Sequence, residues 1–177
     1  MIDGLGRIRQ IGFVVQDIEK AMRHWSEVLG VGPWFYKESV GTTEFNYYGE
    51  PSQLPELSIA LANTGSLQLE LIQQRNSAPS LYLDSLKSSG ECAQHLAFWT
   101  EDRFDDLRAE LINTGYIEGH SGRMGMRGRF AYFVHSDLPS AMVELSEMTG
   151  GKGEYFRRIA TAASDWDQST DPIRRIM

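Results

Sequence analysis

Four polar side chains interrupt apolar runs, and together they make up a cation-binding set. Gln10 opens Gln-Ile-Gly-Phe-Val-Val, His95 opens His-Leu-Ala-Phe-Trp-Thr, and Glu70 and Glu144 lie within Leu69-Glu70-Leu71 and Val143-Glu144-Leu145. An imidazole nitrogen, two carboxylates and an amide oxygen offer one nitrogen and three oxygens with two negative charges, a set suited to Zn, Ni, Co, Mn, Mg or Fe with weak discrimination among them. A carboxylate between apolar neighbours on a central strand must lose its water at a cost of several kcal/mol or face a wet cavity. A divalent metal ion in that cavity removes the difficulty. Gln10 is the weakest of the four, because an amide is a poor ligand beside imidazole and serves equally as a hydrogen-bonding group.

Short elements must carry these groups. Residues 10–15 read as a strand; after Gln16-Asp17 the apolar spacing changes to Ile18, Ala21, Met22, Trp25, Val28 and Leu29, a helix that Asp17 caps and Gly30 stops. His95 to Thr100, followed by Phe104, Leu107 and Leu111 up to Gly115, is the same unit again. A constant offset of 85 residues aligns His95 with Gln10, Phe98 with Phe13, Asp102 with Asp17 and Gly115 with Gly30. Three strands follow each helix: Trp34 to Val40, Leu57 to Ala62 and Leu67 to Ile72, then Gly115 to Glu118, Arg129 to His135 and Ala141 to Ser146, the last two joined by a turn over Ser136 to Ser140.

The fold class that follows is α+β, two tandem βαβββ units forming a curved mixed sheet with a central cup. One domain spans residues 1–149, with unit one at about 6–73, a linker at 74–92 that is helical around Ser80 to Leu86, and unit two at about 93–149. A helical extension, 150–177, is amphipathic near Tyr155 to Ala163 and loosely ordered or partner-bound from Ser164 onward. Because one helix shields only one face of each unit, the paired units leave a concave face with a polar interior. The first and last strands of each unit, side by side, would project Gln10, Glu70, His95 and Glu144 into it.

Composition narrows the function classes. The chain has 177 residues, 41% of them hydrophobic, and a net charge of −7, which repels nucleic acid. A single cysteine, Cys92, fits a reducing compartment and forbids a thiolate zinc site. No apolar run is long enough to cross a membrane and the start has no signal core, so a cytoplasmic protein with a small-molecule substrate and no membrane partner is the expectation.

The doubled unit and the in-register Gln10, Glu70, His95, Glu144 set resemble the vicinal oxygen chelate superfamily, which includes glyoxalases, bleomycin-resistance proteins and dioxygenases. The resemblance covers about residues 6 to 148, and Phe133-Val134-His135-Ser136 with Val143-Glu144-Leu145 is similar to the terminal strands on the methylmalonyl-CoA epimerase and glyoxalase I side. It implies a divalent metal on those four positions, with Glu144 as the catalytic carboxylate; Glu70, beside the same chelate, is the other candidate base. Gln10 stands where the family usually has His, and Ser58 about where the epimerases have a second carboxylate base.

The chemistry expected is metal-assisted proton abstraction by a lyase or an isomerase/epimerase acting on a 2-oxo, 2-hydroxy or acyl-thioester substrate. A metal-free binding protein of the bleomycin-resistance type is the alternative, and an Fe(II) extradiol-type dioxygenase a further one, although that chemistry usually takes two His and only His95 is at hand. Substrate contacts are expected from Tyr48, in a polar and aromatic lid over Thr42 to Glu56, from Arg129, in an arginine cluster with Arg123 and Arg127, and from Ser58. His24, His120 and His135 receive no role. The aromatic tail residues Tyr155, Phe156 and Trp166 are placed to cover a partner in a homodimer.

Overall fold

The computed structural model describes residues 2–139 and 142–176, so Ser140 and Ala141, in the expected last turn and strand, lie outside the described residues. The local signals shape each unit as their chemistry requires. Strand β1 (Gln10–Val14) leads to helix α1 (Ile18–Glu27), where the Asp17 side chain accepts a hydrogen bond from the Lys20 backbone N–H at 2.9 Å. After β2 (Trp34–Val40), β3 (Thr42–Tyr47) and β4 (Glu50–Pro51), the long strands β5 (Leu57–Thr64) and β6 (Leu67–Gln74) close unit one. Helix α2 (Leu81–Ser89), capped by Ser80, fills the linker. Unit two repeats the plan with β7 (Cys92–Thr100), α3 (Phe104–Asn113), β8 (Ile117–Met124), β9 (Arg129–Val134) and β10 (Met142–Glu147). Here the cap differs: Asp102 makes no capping bond, and Thr100 Oγ1 accepts from the Arg103 N–H instead.

All strands, together with β11 (Ile173–Arg175), join one curved mixed sheet in the order β11-β2-β5-β6-β1-β7-β10-β9-β8-β3-β4. Its centre is β6-β1-β7-β10: β1 runs parallel to β6, antiparallel to β7, and β7 parallel to β10. The four strands expected to carry the site are therefore neighbours. Two cores lie under the helices, one joining Ile18 and Met22 of α1 to Trp34, Ala60 and Leu71, the other joining Leu107 and Leu111 of α3 to Phe133 and Leu145. A third occupies the concave face, where Leu57, Ile59 and Leu61 meet Tyr82, Tyr132 and Phe156.

Two regions depart from expectation. The segment from Thr42 is no lid: β3 pairs with β8 at the far edge of unit two, Thr42 opposite Met124 and Tyr47 opposite His120. Thr42 and Phe45 are buried, so the segment is anchored by packing as well as by its strand pairing. Only Gly41 separates it from β2, and the chain thus crosses from one side of the sheet to the other. The tail is also built in. Helix α4 (Lys152–Ser164) lies against β5 and buries Phe156 and Ile159, while β11 pairs with β2 and Arg175 reaches Glu19 at 2.7 Å. Tyr155 and Phe156 turn inward to this chain's own cavity, and the Trp166 ring stacks over Gly32, so the aromatics expected to cover a partner are used within the chain. No helix among the described residues is long and apolar enough to cross a membrane.

Candidate active site

Strand register decides which side chains meet. Glu70 on β6, Gly12 on β1 and His95 on β7 occupy one row across the sheet, and Gln68, Gln10, Ala97 and Glu144 occupy the next row two residues along, so the two rows share a face. Gly12 stands between Glu70 and His95. A Cβ on it would lie 1.8 to 2.5 Å from three atoms of the His95 ring, so only glycine lets the imidazole lie across β1. This brings His95 Nε2 to 3.4 Å from Glu70 Oε2 and 3.2 Å from Glu144 Oε2.

All three residues are buried, and their ligand atoms lie within 4.8 Å of one another. Among the described residues, His95 Nε2 and Glu144 Oε2 have no hydrogen-bond partner despite their closeness. The other imidazole nitrogen is held: Nδ1 lies 3.1 Å from Gln94 Oε1, and the Gln94 amide in turn donates to Leu81 O at 2.8 Å and Ser85 Oγ at 3.0 Å. Gln94 thereby presents an acceptor to Nδ1–H and leaves the Nε2 lone pair turned towards two carboxylates. Two carboxylate oxygens and Nε2 facing one another need positive charge between them, which a proton on Nε2 or a metal ion supplies. Metal–ligand bonds of about 2.1 Å place neighbouring ligand atoms about 3.0 to 3.4 Å apart, and the two separations from His95 Nε2 to the carboxylates fall in that range. The residues present fit a divalent metal.

Electrostatics set the same groups apart. Burial alone would push the His95 imidazolium down, but Glu144 and Glu70 outweigh it and hold its pKa up, at about 9. Burial raises the Glu144 carboxyl, yet His95 prevails and holds it at about 2, whereas Glu70 is raised, chiefly by burial, with the charge of Glu144 adding to it. The two carboxylates are thus pushed in opposite directions by their surroundings.

The site forms the floor of a cavity of about 290 Å³ whose wall includes Ile59, Tyr82, Tyr132 and Phe156. Gln10 also lines it: its Nε2 donates to Gln68 Oε1 at 2.8 Å, leaving the carbonyl oxygen as the end that can serve a cation. The other expected contacts are directed elsewhere. Ser58 is buried between Glu38 O, to which it donates at 2.6 Å, and Arg75 Nε, from which it accepts at 2.9 Å. Arg129 is bound to Asp105 and Glu147 and lies over the Phe104 ring. Tyr48 is 49% exposed against Tyr47, beside the turn after β3. None of the three lines the cavity.

Three contributors escaped sequence reasoning. His120 is buried against Tyr82 and Tyr132 with its pKa pushed down to about 3 by burial and by His95, and its Nδ1 accepts from the Leu81 N–H. Tyr82 comes from the linker helix. Lys152 comes from the extension; burial pushes its ammonium down while Glu144 and Glu70 pull it up. The alternation of β8 could have signalled His120, but no periodicity marks a residue that reaches the cup from outside the repeat.

The doubled sheet belongs to a recognised class. Residues 9–133 match the model of the Glyoxalase/Bleomycin resistance protein/Dioxygenase superfamily, and the chain belongs to that family. Among individual relatives, mitochondrial methylmalonyl-CoA epimerase of Bos taurus is 27% identical over 150 residues, covering 81% of this chain and 75% of that one. Methylmalonyl-CoA epimerase from Mycobacterium tuberculosis has a similar structure, with a TM-score of 0.59 at 15% identity over 87% of this chain and 96% of that one. The same fold occurs in a hypothetical protein from Bacillus halodurans, BH1468, with a TM-score of 0.52 at 16% identity over 81% and 94% of the two chains.

Proposed function

We propose that this protein is a metal-dependent isomerase or epimerase that removes and returns a proton at a carbon beside the carbonyl of an acyl thioester. The observation that carries this reading is the Glu70–His95–Glu144 cluster, whose unpartnered Nε2 and carboxylate oxygen face one another at the floor of an aromatic-walled cavity. Glu70, His95 and Glu144 would hold the metal, with the Gln10 carbonyl oxygen beside them; when bound, the metal supplies positive charge against an enolate-like oxygen. Glu144 takes the proton. It and Glu70 flank His95 on the cavity floor, so Glu70 is placed to return a proton when its carboxylate is free of the metal. These two are the carboxylates that line the cavity among the described residues. The walls of Ile59, Tyr82, Tyr132 and Phe156 exclude water from the reacting carbon.

The relationship to methylmalonyl-CoA epimerase supports the acyl-thioester class. A lyase would use the same first proton transfer and differ in the fate of the carbanion. The metal-free binding reading has one observation in its favour: His95 carried as imidazolium satisfies both carboxylates by itself. A dioxygenase has least support, because the cluster holds one His and two carboxylates instead of the reverse.

The test is proton exchange. Protein purified without chelator is assayed for bound metal and incubated in D2O with single enantiomers of 2-methyl-branched acyl-CoA esters. Deuterium entry at C2 with loss of optical purity, abolished by metal stripping and restored by refilling, is the expected result. Metal-free protein that gains neither exchange nor thermal stability from any divalent ion would overturn the reading in favour of a binding protein.

A further inference from the structure

Lys152 is a residue whose position nothing in its own helix explains. It is the first residue of α4, at the end where the helix dipole opposes a cation, and it is 6% exposed. Burying an ammonium costs several kcal/mol unless it is paired and hydrogen-bonded. No carboxylate oxygen among the described residues lies within 4.0 Å of it. Its recorded hydrogen bond is to Ser146 Oγ at 2.5 Å, and a lysine has three donors to place. Its side chain passes the Phe156 ring, with Nζ 5.8 Å from the centroid, and lines the cavity that holds Glu70 and Glu144.

The charges around that cavity are uneven. Its charged lining residues are Glu70 and Glu144 on the floor and Lys37, Arg127 and Lys152 elsewhere. A divalent cation on the floor cancels the two carboxylates, so the three basic groups remain as a positive excess within a chain of net charge −7. Arg127 is exposed and rests over Tyr155, and Lys37 is half-buried; Lys152 is the one enclosed. A buried cation with free donors beside a metal-binding floor is a receptor for an anionic oxygen.

We propose that Lys152 fixes a carboxylate carried by the substrate, and that the C-terminal helix thereby sets specificity for acyl compounds bearing a free acid group. Lys152 lies outside residues 9–133, so the family match does not supply it. The inference deepens the proposed function and rests on the same cavity being the reaction site. In physical terms, an ammonium already stripped of water gives its full attraction to an incoming carboxylate, and a neutral acyl group finds nothing there to pair with.

The test uses malonate as a probe, with its dimethyl ester as the neutral counterpart, measured by calorimetry and thermal shift on the full chain with and without divalent metal. Malonate binds metal by itself, so the variant comparison isolates the lysine. Lys152→Met, which keeps the contact with Phe156, is expected to weaken malonate binding at least tenfold in either metal state. Lys152→Arg retains binding to within a few-fold, and Lys20→Met, on the opposite side of the sheet, leaves it unchanged. Should Lys152→Met fail to fold, Lys152→Gln carries the same comparison. Malonate binding that is equal in wild type and the Lys152 variant, or absent from wild type in both metal states, overturns the proposal.

Turnover separates this inference from the proposed function. If no acyl thioester exchanges its proton yet malonate binding depends on Lys152, the activity reading falls and the anion site stands. If exchange occurs and Lys152→Met changes neither KM for carboxylated thioesters nor malonate affinity, the anion site alone falls.

Discussion

The two units of this chain share a strand plan and divide the chemistry unequally. At equivalent positions 85 residues apart, unit one has Gln10 and unit two His95; two residues further, unit one has Gly12 and unit two Ala97. Each small residue lies opposite the other unit's polar one, Gly12 paired with His95 and Ala97 with Gln10. Duplication kept the vacancy on both strands. Only the Gly12 vacancy is filled by an imidazole, and only that imidazole is steered by a second amide, Gln94, anchored to α2. On the other strand Gln10 belongs to an amide chain through Gln68 towards Asn63. A repeated backbone thus supplies positions, and what fills them decides which half places an imidazole in the Glu70–His95–Glu144 cluster and which half places an amide beside it.

The sharpest way to break this comparison is through Glu144. Glu144→Gln keeps the shape and removes the ionised oxygen beside His95, and the expected loss in turnover is about 10²- to 10⁴-fold with the circular dichroism of the fold unchanged. His24→Gln, on the outer helix, leaves turnover alone. Equal effects in the two would remove the site assignment.

Substitution at the paired small residues comes next. Gly12→Ala forces a methyl into the His95 ring, with an expected cost of about 1–3 kcal/mol in chemical denaturation and a loss of metal affinity. Ala97→Gly, its counterpart, costs about 0.5–1 kcal/mol through backbone freedom and leaves metal affinity alone. Similar metal phenotypes for both would show that the units are equivalent after all.

A smaller effect tests the steering of His95. Gln94→Leu removes the acceptor from Nδ1, and metal affinity measured by competition with a chelator should fall about 10- to 100-fold. The same titration gives the gain in stability on metal binding, about 2.7 kcal/mol at a hundredfold excess over Kd. Thermal melting of stripped and refilled protein reads that gain, and its absence would detach the cluster from any metal.

The sequence made the positions of these groups legible but left many of their partners hidden. Leu69-Glu70-Leu71 and Val143-Glu144-Leu145 alternate so plainly that their strands and buried carboxylates could be read directly, and the constant offset tied His95 to Gln10. Gly12 was legible only as a strand glycine; that it clears a ring requires the antiparallel register of β1 and β7. Ser58 and Arg129 misled because a polar residue near a site in sequence can spend its bonds locally, Ser58 on Glu38 and Arg75, Arg129 on Asp105 and Glu147. Thr42 to Tyr47 misled for a topological reason, since its strand partner lies in the other unit, with Thr42 opposite Met124 and Tyr47 opposite His120. Lys152 and Tyr82 reach the cup from outside the repeat, where internal symmetry has nothing to say.

The smallest effect bears on Gln10, and it separates bracing from ligation. Its donor end is committed to Gln68 and the residue lines the cavity, so Gln10→Ala acts in two ways. It leaves the Gln68 carbonyl oxygen buried without its donor, an expected cost of about 1–3 kcal/mol in folding stability. It also removes a neutral oxygen from the set of metal donors, which matters little beside an imidazole or a carboxylate; metal affinity should fall by less than about tenfold, or 1.4 kcal/mol. Gln10→His, which gives unit one the residue of unit two, should tighten metal binding if the oxygen does face the ion. A loss in Gln10→Ala as large as that in His95→Ala would make the two strands equal partners in the metal site and end the asymmetry; no change in either Gln10 variant would assign Gln10 wholly to the brace.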